Sequence, residues 1–110
     1  MILNEGAVDG YRLLSPESVR RMTTSHLTAS QRAIGQLFLE GQGWGFGAVG
    51  VETIDPWNVP GRYGWVGGTG TTVHITPSTS TIAILFTQVA ADDPVVPGLM
   101  RDFWRHAAGA

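Results

Sequence analysis

The chain of 110 residues contains neither cysteine nor lysine. Without cysteine it has no disulfide, no cysteine-ligated zinc site and no thiol nucleophile. All seven basic residues are arginine, so no lysine amine is present to form a Schiff base, act as a general base or bind a phosphate. Apolar runs are short as well, and none approaches the roughly 20 residues of a transmembrane helix. Residues 1–4 also lack the basic and long apolar regions of a signal peptide.

The composition predicts one small globular domain over residues 1–110. Hydrophobic residues make up 43% of the chain and charged residues 15%, which separates it from disordered sequences. The net charge of -2 leaves no basic surplus to neutralise phosphates, so we expect no nucleic-acid partner. The histidines at positions 26, 74 and 106 lack the spacing of metal ligands, and we expect no metal and no cofactor.

Helix signals stand near both ends of the chain. Ser15 is a good N-cap, Pro16 suits the first helical position, and Glu17 favours the positive end of the helix dipole. This helix should end around residues 23–25, and residues 33–39 fit either a short helix or a covering loop. A second helix is predicted near the C-terminus. Its buried face is expected to contain Leu99 and Phe103, with Met100 and Trp104 as further candidates.

Strand patterns fill the region between the two helices. Residues 44–51, 62–66, 71–76 and 81–88 each fit a strand, and turn residues at 77–80 join the last two into an antiparallel hairpin. In residues 71–76, apolar side chains alternate with polar ones. The run at 81–88 is apolar on both faces, which predicts a central, covered strand. The expected fold is α+β: an antiparallel sheet of three to four strands with an N-terminal and a C-terminal helix packed on it.

Individual side chains in these strands carry further expectations. Trp44 and Phe46 would share one strand face and belong to the core, with small glycines on the other face. Val73 and Ile75 would occupy one face of their strand, while His74 would lie on the polar face, exposed or hydrogen-bonded.

The most informative stretch is the glycine-rich run at residues 64–71, Gly-Trp-Val-Gly-Gly-Thr-Gly-Thr. Glycine costs conformational entropy and gives a strand no side chain to pack, so four glycines in eight residues need a reason. The usual reason is that a ligand or another part of the chain approaches the backbone. A bulged turn is the simpler alternative.

Four segments together resemble a known family. They are residues 13–22 (Leu-Leu-Ser-Pro-Glu-Ser-Val-Arg-Arg-Met), residues 43–47 (Gly-Trp-Gly-Phe-Gly), residues 63–71, which contain the glycine-rich run, and residues 84–88 (Ile-Leu-Phe-Thr-Gln). In this order and spacing they look like the C-terminal segment of the serine β-lactamase-like superfamily, in particular its class C β-lactamase-related esterases and penicillin-binding-protein-like hydrolases. The resemblance covers nearly the whole chain and implies a partial β-lactamase/transpeptidase-like fold.

The resemblance also implies a substrate-binding site. Trp65-Val66-Gly67 fits the place of the Lys-Thr-Gly triplet on the strand edge that lines the acyl pocket. Gly67 would let substrate lie close to the backbone, and Gly68 is the candidate N–H donor to the oxyanion hole. Trp65 would form a pocket wall, or alternatively pack on the sheet. The implied ligand is an acyl ester or a β-lactam.

The departures from the family pattern concern catalysis. None of the six serines is followed three positions later by lysine, and no Tyr-x-Asn motif is present. We therefore assign no catalytic residue and expect the chain to be inactive alone. As the fragment of a larger hydrolase, it should associate with itself or with the N-terminal catalytic part.

Two other hypotheses remain open. One is a non-catalytic α+β binding or interaction module that uses the Gly-rich strand edge. The other is a small hydrolase with an unfamiliar serine site, for example a triad of Ser78, His74 and Asp55. Neither substrate nor compartment follows from the sequence.

Overall fold

A computed structural model of the chain describes residues 1–39, 42–47, 50–51, 61–90 and 98–108. Within these ranges the α-helices are α1 (Pro16–Thr23), α2 (Ala29–Ile34), α3 (Gln36–Leu39) and α4 (Gly98–Ala108). The strands are β1 (Ala7–Val8), β2 (Tyr11–Arg12), β3 (Gly43–Trp44), β4 (Gly50–Val51), β5 (Tyr63–Gly67), β6 (Thr71–Thr76) and β7 (Thr81–Phe86). Short 3-10 helices span Ile2–Asn4 and Pro77–Thr79. The α+β class is confirmed.

All strand pairs are antiparallel and form two sheets. Strands β1 and β2 make a small hairpin around residues 9–10. The main sheet has the order β3-β4-β5-β6-β7, so each strand lies beside its sequence neighbours. Its three long strands, β5 to β7, carry the expected sheet, and the two-residue strands β3 and β4 extend it.

Helix α1 begins where its sequence signals place it. The Ser15 hydroxyl accepts a hydrogen bond of 3.0 Å from the N–H of Ser18, and Pro16 occupies the first turn. Glu17 binds both Arg20 and Arg21 one turn further on, at 2.8 and 3.0 Å. These local interactions explain why the boundary could be predicted. Residues 33–39 are helical, divided between the end of α2 and α3.

The prediction that residues 81–88 form a central, covered strand is wrong. Strand β7 is the last strand in the order of the main sheet, and Ile82, Ile84 and Phe86 are exposed. The apolar pattern on both faces was correctly recognised, but helix α4 packs on β7 from one side only. A strand with apolar residues on both faces can be covered on both sides, but its sequence does not show whether another element packs on each side.

The polar face of strand β6 is buried, and helix α4 meets it at His74. Thr72, His74 and Thr76 are buried, and the His74 ring meets the Trp104 ring at 4.6 Å between centroids. The alternation predicted for β6 is therefore confirmed, and His74 is hydrogen-bonded but not exposed. The face predicted for α4 needs correction: Met100 and Trp104 are buried and Phe103 is half-buried, but Leu99 points to solvent.

The long strand predicted at residues 44–51 is also wrong. Strand β3 ends at Trp44, and the chain turns at Phe46 and Gly47, whose N–H groups donate to the carbonyls of Arg21 and Met22 at 3.3 and 3.0 Å. Trp44 is half-buried, whereas Phe46 is exposed and stacks on the His26 ring at 3.8 Å. The close approach of the end of α1 at the glycines redirects the chain. Residues 91–97, which include Pro94 and Pro97 ahead of helix α4, lie outside the described residues.

No helix in the described ranges has the length and apolar character needed to cross a membrane.

Candidate functional site

The glycine-rich run forms the hairpin between β5 and β6. Gly67 pairs with Thr71, which leaves a three-residue loop at residues 68–70. The N–H of Gly70 donates to the carbonyl of Gly67 at 3.0 Å, and Gly70 has φ +82°. Neither Gly68 nor Thr69 has a positive φ. This is the pattern of a type I turn followed by a left-handed glycine, a common three-residue hairpin loop.

The loop is held from behind by the chain that follows β7. The Thr87 hydroxyl donates to the carbonyl of Gly70 at 2.7 Å, and the Thr87 N–H donates to the same oxygen at 3.2 Å. A Cβ on Gly70 would overlap the carbonyl oxygen of Val89 and the hydroxyl of Thr87. Gly70 is thus required by its positive φ and by this packing, without any ligand.

The remaining glycines of the run divide into two kinds. A Cβ on Gly64 would lie 2.7 Å from the Cα of His74, so the neighbouring strand β6 accounts for that glycine. A Cβ on Gly67 would lie 3.0 Å from the Thr71 hydroxyl, a tight but local contact. A Cβ on Gly68 would meet nothing within 4 Å. Gly68 is therefore the member of the run whose backbone faces open space.

The N–H groups at the tip of this loop are available to a ligand. Among the described residues, none accepts a hydrogen bond from the N–H of Gly68 or of Thr69, and both residues are exposed. Their positions are fixed because the Gly67–Gly70 bond and the Thr87 contacts hold the loop on both sides. Preorganised N–H donors of this kind can stabilise a developing oxyanion.

An open groove of about 370 Å³ lies on the sheet beside this loop. Cross-strand pairing places Trp65, Val73 and Ile84 in one row across the sheet, and Gly67, Thr71 and Phe86 in the next. The groove is lined by Trp65, Gly67, Thr71, Thr72, Val73, Ile84 and Phe86. None of the described residues that line it is charged, so it suits an apolar group.

The structure brings three of the four expected substrate-binding residues to this groove and loop. Trp65 and Gly67 line the groove, and Gly68 begins the loop beside it. Trp65 also packs edge-on against Trp44 at 4.8 Å, so it is both a groove wall and a packed sheet residue. Val66 pairs with Thr72 and belongs to the opposite face.

The opposite face holds a buried polar cluster that the sequence analysis did not identify. His74 Nδ1 and the Thr72 hydroxyl share a hydrogen bond of 3.0 Å, and the buried Arg62 guanidinium lies 5.3 Å from the Trp104 ring. Burial, assisted by the positive charge of Arg62, lowers the pKa of His74 from 6.5 to about 3. The imidazole is therefore neutral at pH 7. The sequence does show a histidine between two threonines on one face of a strand. It does not show that helix α4 packs against this histidine, because the two are far apart along the chain.

The two described members of the suggested triad, His74 and Ser78, lie in different environments. His74 is buried beneath α4 with its Nδ1 on Thr72, whereas Ser78 is exposed on the 3-10 helix after β6. Asp55 lies outside the described residues. Within the described ranges, no group of three histidine and acidic side chains is placed to hold a metal ion.

Comparison with known proteins gives two relatives and no family. No protein-family model matches the chain. It is 36% identical over 102 residues to the uncharacterized protein MT1414 of Mycobacterium tuberculosis strain CDC 1551 and to protein Rv1367c of strain H37Rv. The match covers 84% of this chain but 25% of each relative, so the chain spans about a quarter of their length. The names of these two proteins assign no activity to either of them.

Proposed function

We propose that the chain is the C-terminal part of a β-lactamase-like serine hydrolase and supplies one wall of its acyl site. The observation that carries the proposal is the clamped loop at residues 68–70, whose two N–H groups are exposed at the end of an apolar groove. When a serine attacks an ester or β-lactam carbonyl, the carbonyl oxygen becomes an oxyanion. Backbone N–H groups placed at that oxygen stabilise it.

The division of labour follows from the residues present. In this scheme the Gly68 N–H, with Thr69 beside it, faces the oxyanion, and the groove formed by Trp65, Val73 and Phe86 receives the apolar part of the substrate. The nucleophile and its base belong to another segment, because no serine of this chain is followed by the lysine of Ser-x-x-Lys. The chain alone is therefore expected to bind acyl groups weakly and not to turn them over.

A reconstitution assay tests this proposal. The 110-residue chain is assayed alone with nitrocefin and p-nitrophenyl butyrate, and again after co-expression with the three quarters of Rv1367c that it does not match. We expect no turnover above background from the chain alone and ester or β-lactam hydrolysis from the co-expressed pair. Hydrolysis by the chain alone that is lost when one of its own serines is replaced would contradict the proposal. So would a purified pair that is inactive on both substrates.

The alternative is a non-catalytic binding module that uses the same strand edge. One observation favours it: the described residues of the groove lining include no serine, histidine or carboxylate. Under this alternative, the chain binds p-nitrophenyl butyrate or an apolar peptide at residues 67–71, seen as amide shifts by NMR, and the co-expressed pair remains inactive.

A further inference from the structure

Strand β6 buries its polar face, whereas apolar side chains of β6 and β7 are exposed on the other side of the sheet. Thr72, His74 and Thr76 are buried on one face of β6, although each of these side chains is polar. On the other face of β6 and β7, exposed fractions are 41% for Val73, 52% for Ile82 and for Ile84, and 79% for Phe86. We call these last four residues the apolar face. Contiguous apolar surface of this kind marks an interaction site, since scattered single residues are the norm.

We propose that the apolar face is covered by additional polypeptide. This polypeptide corresponds to the three quarters of the longer relatives that lie outside the match. Two observations select this occupant. The matched segment is a quarter of each relative, so most of such a chain must pack elsewhere. The apolar face carries no charge. It lies at one edge of the sheet, because β7 is the last strand in the order of the described strands.

The chemistry of the occupant follows from that surface. It must present uncharged apolar side chains, because an ionised group placed against Val73 or Ile84 would lose its hydration without a partner. Its large side chains should pack over Ile82 and Ile84, so that the end of the groove beside Gly67 and Thr71 remains open. This inference concerns packing and does not depend on the hydrolase chemistry proposed above.

Co-purification with matched variants tests the inference. A tagged 110-residue chain is co-expressed with the three quarters of Rv1367c outside the match, and the untagged part recovered with it is measured. Ile84→Lys places a charge on the apolar face. Leu99→Lys is the control, since Leu99 is 66% exposed on α4, which covers the opposite face.

We expect the wild type and Leu99→Lys to recover the untagged part equally, and Ile84→Lys to recover about tenfold less or lower. Ile84→Thr keeps the β-branched shape and serves as the milder variant, with a smaller loss. Circular dichroism of each variant alone checks that the fold tolerates the substitution at Ile84, which is 52% exposed.

Three results would overturn the inference. They are no recovery with the wild type, equal recovery with Ile84→Lys, or a wild-type homodimer that persists in place of the mixed complex. A mixed complex that shows no hydrolysis would retain this inference and contradict the proposed function, so the two fail separately.

Discussion

The buried imidazole of His74 makes stability depend on pH. Burial beneath Trp104 and the nearby charge of Arg62 lower its pKa from 6.5 to about 3 in the folded chain. On acidification the unfolded chain therefore takes up the proton first. The stability that His74 contributes is fully present above about pH 6.5 and is lost as the pH falls toward 3.

The size of the effect follows from the two pKa values. Between them the free energy of unfolding should fall by about 1.4 kcal/mol per pH unit, because one extra proton binds to the unfolded state. By pH 5 the accumulated loss relative to pH 8 is about 2 kcal/mol. That is a large share of the roughly 5–15 kcal/mol that stabilises a typical domain.

Urea unfolding at several values between pH 5 and pH 8 measures this slope while avoiding the range where carboxylates titrate. His74→Gln, which stays neutral throughout, should flatten the profile whatever its own stability. His106→Gln, an exposed histidine on α4, should keep the wild-type profile. A flat wild-type profile, or a slope that survives His74→Gln, would refute the assignment of a buried neutral imidazole.

Three further predictions concern packing and helix capping, and chemical denaturation tests each of them. Met100→Ala should cost about 2–5 kcal/mol because Met100 is buried in α4, whereas Leu99→Ala on the same helix should cost under about 0.5 kcal/mol; equal losses would contradict the orientation of α4. Gly70→Ala should lower the free energy of unfolding by more than about 2 kcal/mol, because its Cβ would meet Val89. Gly61→Ala, at a similar positive φ but in open space, should lower it by about 1 kcal/mol. The reverse order would be incompatible with the clamped loop. Ser15→Ala should cost about 1 kcal/mol through loss of the α1 cap, and no loss would remove that role.

The sequence predicted best what depends on near neighbours. Helix α1 begins at its Ser15 cap and the hairpin between β6 and β7 forms at its turn residues, because each is fixed by contacts within a few positions. What failed depends on distant partners. The buried side of α4 is centred on Met100 and Trp104 rather than Leu99, since the helix is oriented by His74 on a strand far away in sequence.

The candidate site shows the same division. The glycine-rich run was recognisable as backbone that something approaches, and Trp65, Gly67 and Gly68 do lie at the groove and its loop. It was not predictable which glycine of the run has a backbone that faces open space. Gly70 is explained by Val89 and Gly64 by His74, and only the three-dimensional distances separate them from Gly68. The polar cluster around His74 was missed because Arg62 and Trp104 meet it from other elements.

Replacing Gly68 tests most directly the proposal that its N–H faces an oxyanion. Proline suits the first central position of a type I turn and removes only the N–H, while alanine keeps the N–H in open space. With p-nitrophenyl butyrate and the co-expressed pair, Gly68→Pro should lower kcat by about 10²–10³-fold. Gly68→Ala should leave kcat near the wild-type value. Equal activity in the two variants would contradict the claim.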